Sequence, residues 1–411
     1  LGNLLDEAGQ LDAAIRHLER AVALSPDLAE AHNNLGVCLD RSGLGPRARE
    51  HFQRAIALNP TFAEAIFNDA KTLAGQGRLE DAKRKYEAGL RLQPGNAKAR
   101  LGYGIAHLLG GELEQGWEHY EARPSNPGDA PYTDDTSRRW RGEPLEGRTL
   151  LLHAEQGFGD TIQFVRFVPQ LAASGARIVL ELQPPLVALL AGVPGVSGVI
   201  TRGTPRPAFD WQCPLPSLPY VLALGLDRIA ATAEVPYLHA EPARLERWRA
   251  RLGGCRGLRI GLAWAGNPNH LNDLNRSLPF AVLRPLADIA GVSFVALQKG
   301  PALAQAEAGH GPRVLLPGDE LGDFADTAAA IAQLDLVISV DTSVAHLAGA
   351  LGKPAWVLLP FAPDWRWMLE REDSPWYPTM RLFRQSRPRD WAGVIERVGR
   401  ELTALAAQSD A

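Results

Sequence analysis

The first third of this 411-residue chain repeats itself every 34 positions. Five independent columns keep this spacing: a proline, a glycine, a large aromatic residue or leucine, and two positions reserved for small residues. The members of these columns are Pro26, Pro60 and Pro94; Gly9, Gly43, Gly77 and Gly111; Leu18, Phe52, Tyr86 and Tyr120; Ala14, Ala48, Ala82 and Gly116; and Gly2, Gly36, Ala70 and Gly104. A period of this length restricts the fold to a stack of small, similar units.

The period and the columns match the tetratricopeptide pattern, in which each unit is a pair of helices. Small residues allow the paired helices to approach closely, and we expect the large side chain to fill the gap between repeats. Each proline follows a second helix, which it cannot extend, and each glycine marks the turn between helices. We count three full or nearly full repeats and a fourth whose second helix carries Trp117 and Tyr120.

Stacked repeats of this kind form a curved solenoid with a concave face. Such faces commonly bind polypeptides, so we expect residues 1–122 to bind protein. The alternative is that the repeats serve as a scaffold or as a dimerisation arm. Because the chain begins at Leu1, in the middle of a repeat, we also expect that its N-terminus is truncated.

The sequence pattern changes after the repeats. Residues 123–147 are rich in proline, glycine and charge, and they predict a linker that Trp140 anchors on the next domain. From residue 148 onward, short β-rich runs alternate with helical ones, which is typical of a parallel sheet covered on both faces. We predict two doubly wound domains with a cleft between them, at 148–240 and 241–386, and a C-terminal helix at 387–411 that packs back across both.

Composition argues against several other classes of protein. The formal charge of −4 gives no sign of a general nucleic-acid binder. The three cysteines, Cys38, Cys213 and Cys255, are scattered, which argues against a disulfide framework or a zinc cluster and favours a reducing compartment such as the cytoplasm. No apolar run reaches the roughly 18 residues of a membrane span, so we expect no transmembrane segment.

Ligands of open parallel sheets bind beyond the carboxyl ends of the strands, and three turns at such places carry polar residues. The first follows the predicted strand LVISV and contains Asp341, Thr342, Ser343 and Val344, with His346 one turn later. Unpaired N–H groups and the helix dipole at such a helix start form a phosphate site. The alternatives are that the aspartate and threonine only cap the helix and that the histidine is a packed core residue.

The second turn, HAEQGFGD, follows the predicted strand TLLLH. Gly157 and Gly159 give a tight turn, and Asp160 then begins a helix at the same edge of the sheet. A carboxylate facing a cleft between domains is a candidate general base, although it would also serve as a simple helix cap. His153 and Glu155, at the end of the strand, are rival candidates for the base.

The third turn, residues 263–277, is long for a connection from strand to helix, and long loops are often functional. Arg276 is its best candidate for contacting a pyrophosphate, because a guanidinium forms bidentate, charge-assisted hydrogen bonds. A solvated surface loop is the alternative. The other candidates in this loop and after the next strand are Trp264, Asn267, His270, Asn272, Asp273, Gln298 and Lys299.

An arginine, a lysine, an amide and a helix start along one sheet edge are what a nucleotide diphosphate requires. The sequence has no GxxxxGK[ST] phosphate loop and no GxGxxG after a strand, which argues against ATPases and dehydrogenases. The absence of an HExxH motif, together with the scattered cysteines, argues against a zinc site.

Four stretches taken together resemble bacterial tetratricopeptide proteins that carry a glycosyltransferase domain. They are HAEQGFGDTIQFVRF, GLAWAGNPNHLNDLNRSLPF, ISVDTSVAHLAGALGKP and LLPFAPDWRWMLEREDSPWYP. That domain is similar to the family nine heptosyltransferases, which have the GT-B fold. The arrangement also resembles the protein O-linked N-acetylglucosamine transferases, in which repeats present a polypeptide to a GT-B catalytic unit. The resemblance covers the whole chain and is more specific for fold and family than for substrate.

The resemblance implies roles for individual residues. Gly159 and Asp160 match the glycine–aspartate pair of the heptosyltransferases, whose aspartate is the proposed base. Arg276 matches by position a basic residue that contacts the diphosphate, where lysine is usual.

The turn before the predicted donor-side helix also matches. Heptosyltransferases have an aspartate–threonine–glycine turn followed by a histidine around the donor phosphates and sugar, and Asp341, Thr342 and His346 match it. Ser343 replaces the glycine, which leaves the identity of the donor sugar open.

We therefore expect a metal-independent glycosyltransferase with an N-terminal repeat arm. The donor is a nucleotide-diphosphate sugar, used as a co-substrate without a further cofactor, and the acceptor is a polypeptide or a glycan. A non-catalytic repeat adaptor, with a vestigial or ligand-sensing GT-B part, is the alternative from another class. A sugar-nucleotide epimerase is a third candidate.

Overall fold

The computed structural model describes residues 2–7, 10–124, 136–232, 234–270, 272–309 and 311–409. The chain forms two compact units. The repeat unit consists of Leu1–Pro124 together with Asp364–Leu369, and the α/β unit consists of Ser125–Pro363 together with Glu370–Ala411. Gly9 of the glycine column and residues 125–135 of the predicted linker lie outside the described residues.

Helix starts in the repeat unit keep the 34-residue period of the sequence. First helices of successive repeats begin at Ala29, Ala63 and Ala97, and second helices begin at Leu11, Gly45, Leu79 and Leu113. The described helices are α1 (Gly2–Glu7), α2 (Leu11–Leu24), α3 (Ala29–Arg41), α4 (Gly45–Leu58), α5 (Ala63–Gly75), α6 (Leu79–Leu92), α7 (Ala97–Leu109) and α8 (Leu113–Tyr120). The predicted tetratricopeptide solenoid in the N-terminal part of the chain is confirmed.

The small residue of a first helix makes room for the large side chain of the second helix in the same repeat. A Cβ atom on Gly36 would lie 2.5 Å from a ring carbon of Phe52. In the next repeat, Tyr86 packs in one cluster with Ala70. The large side chain therefore packs inside its own repeat, and it also fills the gap between repeats as predicted, since Leu18 of the first repeat lies in one cluster with Leu35 and Leu39 of the second. Tyr86 does both, since its hydroxyl also lies against Gly102 of the following repeat.

The glycine column is required by the backbone of the turns between helices. Gly43, Gly77 and Gly111 have φ angles of 79°, 75° and 83°. This left-handed region costs other residues energy because of their Cβ atom, while glycine enters it freely.

A short segment from the second half of the chain belongs to the repeat unit. It contains a 3-10 turn, Trp365–Trp367. Trp365 is buried, and its ring meets those of Trp117 and Tyr120 edge-on, with centroid distances of 5.1 and 5.7 Å. Arg366 lies over the same ring at 4.1 Å. End units of a solenoid need such a cover for their apolar surface, and Asp364–Leu369 supplies it to the last repeat.

Two histidines meet between the helices of one repeat. The Nδ1 atoms of His32 in α3 and His51 in α4 lie 3.1 Å apart, and His32 Nε2 donates to the carbonyl of Pro26 at 3.0 Å. Because a carbonyl only accepts, the proton of neutral His32 is on Nε2, and its Nδ1 accepts from the Nδ1–H of His51. The contact therefore holds one proton and is lost if both rings become charged.

The first lobe of the α/β unit, residues 136–232, contains a sheet of four parallel strands. The strands are β1 (Thr149–His153), β2 (Arg177–Leu182), β3 (Val196–Thr201) and β4 (Trp211–Pro214), in the order β3-β2-β1-β4. The helices are α9 (Phe158–Phe164), α10 (Val168–Ala173), α11 (Val187–Leu190), α12 (Leu218–Val221) and α13 (Leu226–Ala231). Trp140 is buried and its main-chain N–H donates to Gln212 in β4 at 2.9 Å, so it anchors the chain on this lobe.

The second lobe, residues 234–409, contains a sheet of six parallel strands. The strands are β5 (Leu258–Ala263), β6 (Val292–Ala296), β7 (Val314–Leu315), β8 (Leu336–Val340), β9 (Ala355–Leu359) and β10 (Met380–Arg384), in the order β10-β9-β8-β5-β6-β7. The helices are α14 (Pro242–Leu252), α15 (Asp273–Arg276), α16 (Ala304–Glu307), α17 (Phe324–Ala332), α18 (Ser343–Ala350) and α19 (Trp391–Ser409).

The C-terminal helix α19 completes the core of the second lobe. Its residues Trp391, Val398 and Leu402 are buried in one cluster with residues of β5 and of the 3-10 run Phe280–Asp288. From the sequence, this helix was expected to pack across both lobes. The partners in this cluster belong to the second lobe, because they form its sheet and the connection after β5.

Several elements differ from the prediction for local reasons. The strands β4 and β10 were not predicted, since WQCP is short and ends in proline and MRLFR contains two arginines. Residues 278–289 (LPFAVLRPLADI) belong to the helical runs that the sequence predicts after residue 148, and most of them form the 3-10 run Phe280–Asp288, which contains Pro285. Proline has no N–H to donate and crowds the preceding turn of an α-helix.

Replacing Trp365 by alanine is expected to destabilise the repeat unit by about 3 to 5 kcal/mol, the usual cost of deleting a buried tryptophan side chain. Hydrogen exchange of α7 and α8 in the full chain measures this effect as faster exchange. Trp211→Ala makes the same chemical change in β4 of the α/β unit and should leave exchange in α7 and α8 as it was. Equal exchange in the wild type and in Trp365→Ala would mean that this segment does not hold the last repeat.

We also expect the repeat unit to lose stability in mild acid. Burial lowers the pKa of His51 below 6.5, and His32 and Arg47 lower it further, against the opposing charges of Glu50 and Glu19. The unfolded chain then binds more protons below about pH 6.5, so the free energy of unfolding falls with the pH.

Thermal denaturation between about pH 7.5 and 5.5 tests this expectation. His51→Gln should flatten the pH dependence, and His17→Gln, at an exposed position of α2, should not. The same slope in both variants would contradict the role assigned to His51.

Candidate active site

The strand order of the second sheet creates a crevice between β5 and β8. These strands are neighbours, but the chain leaves β5 towards β6 on one side and leaves β8 towards β9 on the other. Loops diverge at such a switch point, and ligands of open parallel sheets typically bind there. The loop after β5 (264–272) and the start of α18 after β8 both lie at this point. The first and third predicted turns are therefore brought together.

Arg276 joins these two turns. Its Nη1 donates to the main-chain oxygen of Asp341 at 3.3 Å, and its Nε donates to Asp273 at 3.2 Å. The guanidinium lies against Gly266, where any Cβ atom would collide with it. Only 16% of the side chain is exposed, so the positive charge is held in place next to the first residues of α18.

The start of α18 is only partly buried. Thr342 is its N-cap residue and has an extended backbone, and its hydroxyl lies 3.1 Å from that of Ser339. Asp341, Thr342 and Ser343 are half-buried, while Val344 is buried. The first N–H groups of a helix have no partner within it and carry the positive end of its dipole. With a guanidinium beside them, they suit an anion.

The second predicted turn, in the first lobe, lies against the same helix. A Cβ atom on Gly159 would lie 2.7 Å from Cδ2 and 3.3 Å from Nε2 of His346 in α18. Only glycine therefore permits this approach of α9 to α18. Asp160 follows immediately, is half-buried, and accepts the N–H of Gly157 at 2.8 Å through Oδ2. The predicted base thus caps its own helix and stands next to the contact between the lobes.

The side chains of Trp264, Gln298 and Lys299 are engaged inside the second lobe. The Gln298 side-chain oxygen accepts the main-chain N–H groups of Trp264 and Ala265 at 3.0 and 2.9 Å. Lys299 donates to the main-chain oxygen of Leu321, and the Trp264 ring is buried in the core of this lobe. These side chains shape the loop after β5. Direct binding of phosphate by Gln298 or Lys299 stays a prediction.

The remaining predicted residues occupy two different settings. His153 is buried at the end of β1, in register with Glu181 of β2, and Glu155 is buried just after it. Asn267 and His270 are exposed in the loop after β5 and form turns there, since their side chains accept main-chain N–H groups two residues ahead at 3.0 and 3.1 Å.

Sequence analysis missed three residues around this site. Gly266 makes room for the guanidinium of Arg276. Tyr377 lies with its hydroxyl 2.9 Å from Nδ1 of His346, and Arg166 is a buried arginine bound to the main chain at Trp376. The last two contacts join residues that are 31 and 210 positions apart, so no local sequence pattern predicts them. A lone arginine within the apolar run QFVRFV was the one available signal.

In the part of the chain that the structure describes, no helix combines the length and apolar character that a membrane crossing needs. Within the same residues, no group of three or more histidine, cysteine, aspartate or glutamate side chains is arranged to hold a metal ion.

Replacing Gly159 by alanine is expected to destabilise the α/β unit by about 1 to 3 kcal/mol, because the added methyl group overlaps the His346 ring. Urea denaturation of the full chain measures the change. Gly192→Ala in the same lobe is the matched control, since a Cβ there has no atom within 4 Å. Similar stability losses in the two variants would contradict the close contact between α9 and α18.

Comparisons with known proteins support the repeats directly. The tetratricopeptide repeat family matches residues 1–61 and 67–130. Protein FlbA of Caulobacter vibrioides is 30% identical over 325 residues, an alignment that covers 72% of this chain and 53% of FlbA. The chain therefore spans about half the length of this curated relative, and the similarity extends well beyond the repeats.

Two solved structures show weaker overall similarity. The crystal structure of MamA is 27% identical, covers 30% of this chain and 71% of its own, and has a TM-score of 0.29. The first TPR of Spaghetti (RPAP3), bound to an HSP90 peptide, is 25% identical, covers 26% of this chain and 83% of its own, and has a TM-score of 0.25. By the family match and by its own helices, the N-terminal part of the chain is a tetratricopeptide-repeat region, and it is followed by an α/β part with parallel sheets.

Proposed function

We propose that the α/β unit is a glycosyltransferase of the GT-B type, which moves a sugar from a nucleotide-diphosphate donor to an acceptor hydroxyl. One observation carries this proposal. The guanidinium of Arg276 meets the start of α18 at the switch point of the second sheet, and the helix start that bears Asp160 lies against the same α18. A cation, a helix N-terminus and a carboxylate thus come together where two lobes meet.

The second lobe is the donor side in this proposal. Negative charge develops on the departing nucleotide diphosphate as its bond to the sugar breaks. Arg276 and the first N–H groups of α18, at Ser343 and Val344, stabilise that charge through fixed, charge-assisted hydrogen bonds. The hydroxyl of Thr342, which is half-buried at the same place, adds a further donor. These groups take the part that a metal ion plays in other phosphate sites.

The first lobe is the acceptor side, and Asp160 is the general base. Its carboxylate removes the proton from the acceptor hydroxyl as that oxygen attacks the sugar carbon. The hydrogen bond from Gly157 fixes the carboxylate, and this orientation is what a base on a helix start needs. His153 lies deeper, buried at the end of β1, so we assign the role to Asp160.

The repeats bind the polypeptide that carries the acceptor hydroxyl. A solenoid presents an extended surface, which suits a chain of many residues better than a small sugar. A glycan acceptor is the other possibility for the same α/β unit, and it leaves the repeats free to bind a separate protein.

A non-catalytic adaptor is the second candidate function. It is favoured by the hydrogen bonds of Asp160, Gln298 and Lys299 to main-chain groups. These bonds give each side chain a structural role that requires no catalysis. In this case the α/β unit binds a nucleotide sugar without transferring it, and the repeats bind the partner that responds.

A panel of nucleotide-diphosphate sugars, tested by thermal shift, calorimetry and transfer, decides between the two functions. Arg276→Ala should weaken binding of nucleotide diphosphates by roughly tenfold or more, since a hydrogen bond to a charged group contributes about 1.5 to 3 kcal/mol. Arg256→Ala is the control, because Arg256 is exposed just before β5, at the opposite edge of the sheet.

Asp160→Asn separates binding from turnover. Asparagine can still accept the N–H of Gly157, so the helix cap and donor binding should persist, while transfer falls by about a hundredfold or more. Equal transfer in the wild type and this variant removes Asp160 from the mechanism. Binding without transfer in the wild type, with every donor and with peptide acceptors, supports the adaptor.

A further inference from the structure

Arg166 is buried in the α/β unit among aromatic rings and main-chain oxygens. It follows α9, in the short 3-10 turn Val165–Phe167, and only 9% of it is exposed. Its guanidinium donates to the carbonyls of Gln163 and Trp376 at 2.9 and 2.8 Å. The rings of Tyr237 and Tyr377 flank it, each 4.7 Å from the guanidinium carbon. A first-lobe cation is therefore enclosed by residues of the second lobe.

The contact with Tyr237 shows how this cation directs a hydroxyl proton. Arg166 Nη2 donates to the Tyr237 oxygen at 3.2 Å, and the same hydroxyl lies 2.9 Å from the carbonyl oxygen of Ile162. Arginine has only donors and a carbonyl has only acceptors. The single hydroxyl proton must therefore point away from the guanidinium and towards Ile162.

The Tyr377 ring lies 4.7 Å from the same guanidinium, Arg166 also makes a side-chain hydrogen bond to Tyr377, and the Tyr377 hydroxyl faces a histidine in place of a carbonyl. Burial acts to lower the pKa of Arg166, but the interactions with the hydroxyls of Tyr237 and Tyr377 raise it above its usual value, so the group stays charged. The Tyr377 hydroxyl lies 2.9 Å from Nδ1 of His346. By the argument that holds for Tyr237, its proton points away from Arg166 and is donated to Nδ1.

We propose that Arg166 and Tyr377 are positioning residues that hold His346 in the tautomer protonated on Nε2. A neutral imidazole carries one proton, so an Nδ1 that accepts a hydrogen bond leaves the proton on Nε2. The ring edge with Cδ2 and Nε2 is the one that faces Gly159. A fixed N–H donor is thus presented where α9 meets α18, beside the residue proposed as the base.

This inference rests on the proposed function for its chemical meaning. An Nε2–H at this place donates to an acceptor oxygen, and a neutral ring adds no positive charge next to Asp160. The opposite tautomer would present a lone pair to an oxygen-rich ligand and would repel it. The buried arginine therefore acts on the ligand through two hydrogen bonds, although it lies outside the crevice.

Nitrogen-15 NMR of the histidine side chains in the full-length chain tests the tautomer without any substrate. The chain has ten histidines, and the signals that vanish in His346→Gln belong to His346. In the wild type we expect a protonated Nε2 and an unprotonated Nδ1. A protonated Nδ1, or an equal mixture of tautomers, overturns the proposal, and this measurement stands even if the tyrosine variants fail to fold.

Two tyrosine variants provide a matched pair. Tyr377→Phe removes the hydroxyl that faces His346, and Tyr237→Phe removes the hydroxyl that faces Ile162, both from the same guanidinium. One lost hydrogen bond shifts an equilibrium by roughly fivefold to tenfold. We expect mixed His346 tautomers in Tyr377→Phe and the wild-type tautomer in Tyr237→Phe. An unchanged tautomer in a folded Tyr377→Phe, or the same change in both variants, overturns the role of Tyr377.

The NMR measurement tests the positioning of His346 and the transfer assay tests the glycosyltransferase proposal, and each can be contradicted without the other. If the expected tautomer is found and no donor is transferred, the positioning contact stands and the transferase proposal falls. If transfer is observed and His346 is protonated on Nδ1, the reverse holds. Where both succeed, Tyr377→Phe should weaken binding of the nucleotide-diphosphate sugar by up to about fivefold to tenfold, because part of the population then presents a lone pair, while Arg276 and the start of α18 are untouched.

Discussion

The contact of Gly159 with His346 is the constraint on which the α/β unit depends. A helix start from one parallel sheet meets a helix from the other at a distance that leaves no room for a methyl group. The histidine ring is fixed by the Tyr377 hydroxyl on its other side, and the start of α9, which carries Gly159, is fixed by Asp160. Polar groups that belong to separate lobes are held in one place by this packing, so their relative positions do not depend on a flexible linker.

The repeats were predictable from the sequence because their period is local and redundant. Gly43, Gly77 and Gly111 all have the positive φ angle that the turn between helices requires, so the same sequence signal occurs three times. The parallel sheets were also predictable, since their central strands β1, β5 and β8 are largely buried and hydrophobic. The short strands β4 and β10 were not predicted. Each lies at the edge of its sheet and pairs with a strand on one side only, so it tolerates proline or arginine and lacks the usual hydrophobic pattern.

The candidate site was predictable only in outline. Chain topology alone sends the ends of β5 and β8 to the same edge, and that was enough to group Arg276 with Asp341 and Thr342. The topology gave no information about which polar side chains would form hydrogen bonds with main-chain groups of the protein itself. Gln298 reads as a ligand in the sequence and in the structure holds two N–H groups of its own lobe. Arg166 and Tyr377 contact residues that are far away along the chain, and such contacts produce no periodic pattern from which they could be predicted.

The segment Asp364–Leu369 has a consequence for how this protein is divided. Its neighbours on both sides along the chain, β9 and β10, are adjacent strands of the second sheet, yet the segment itself completes the solenoid. The boundary between the two units is therefore crossed three times by the polypeptide. Cutting the gene once between repeats and sheets yields two fragments that are each incomplete, and a chimaera that exchanges the repeats must also exchange these six residues to keep the new last repeat covered.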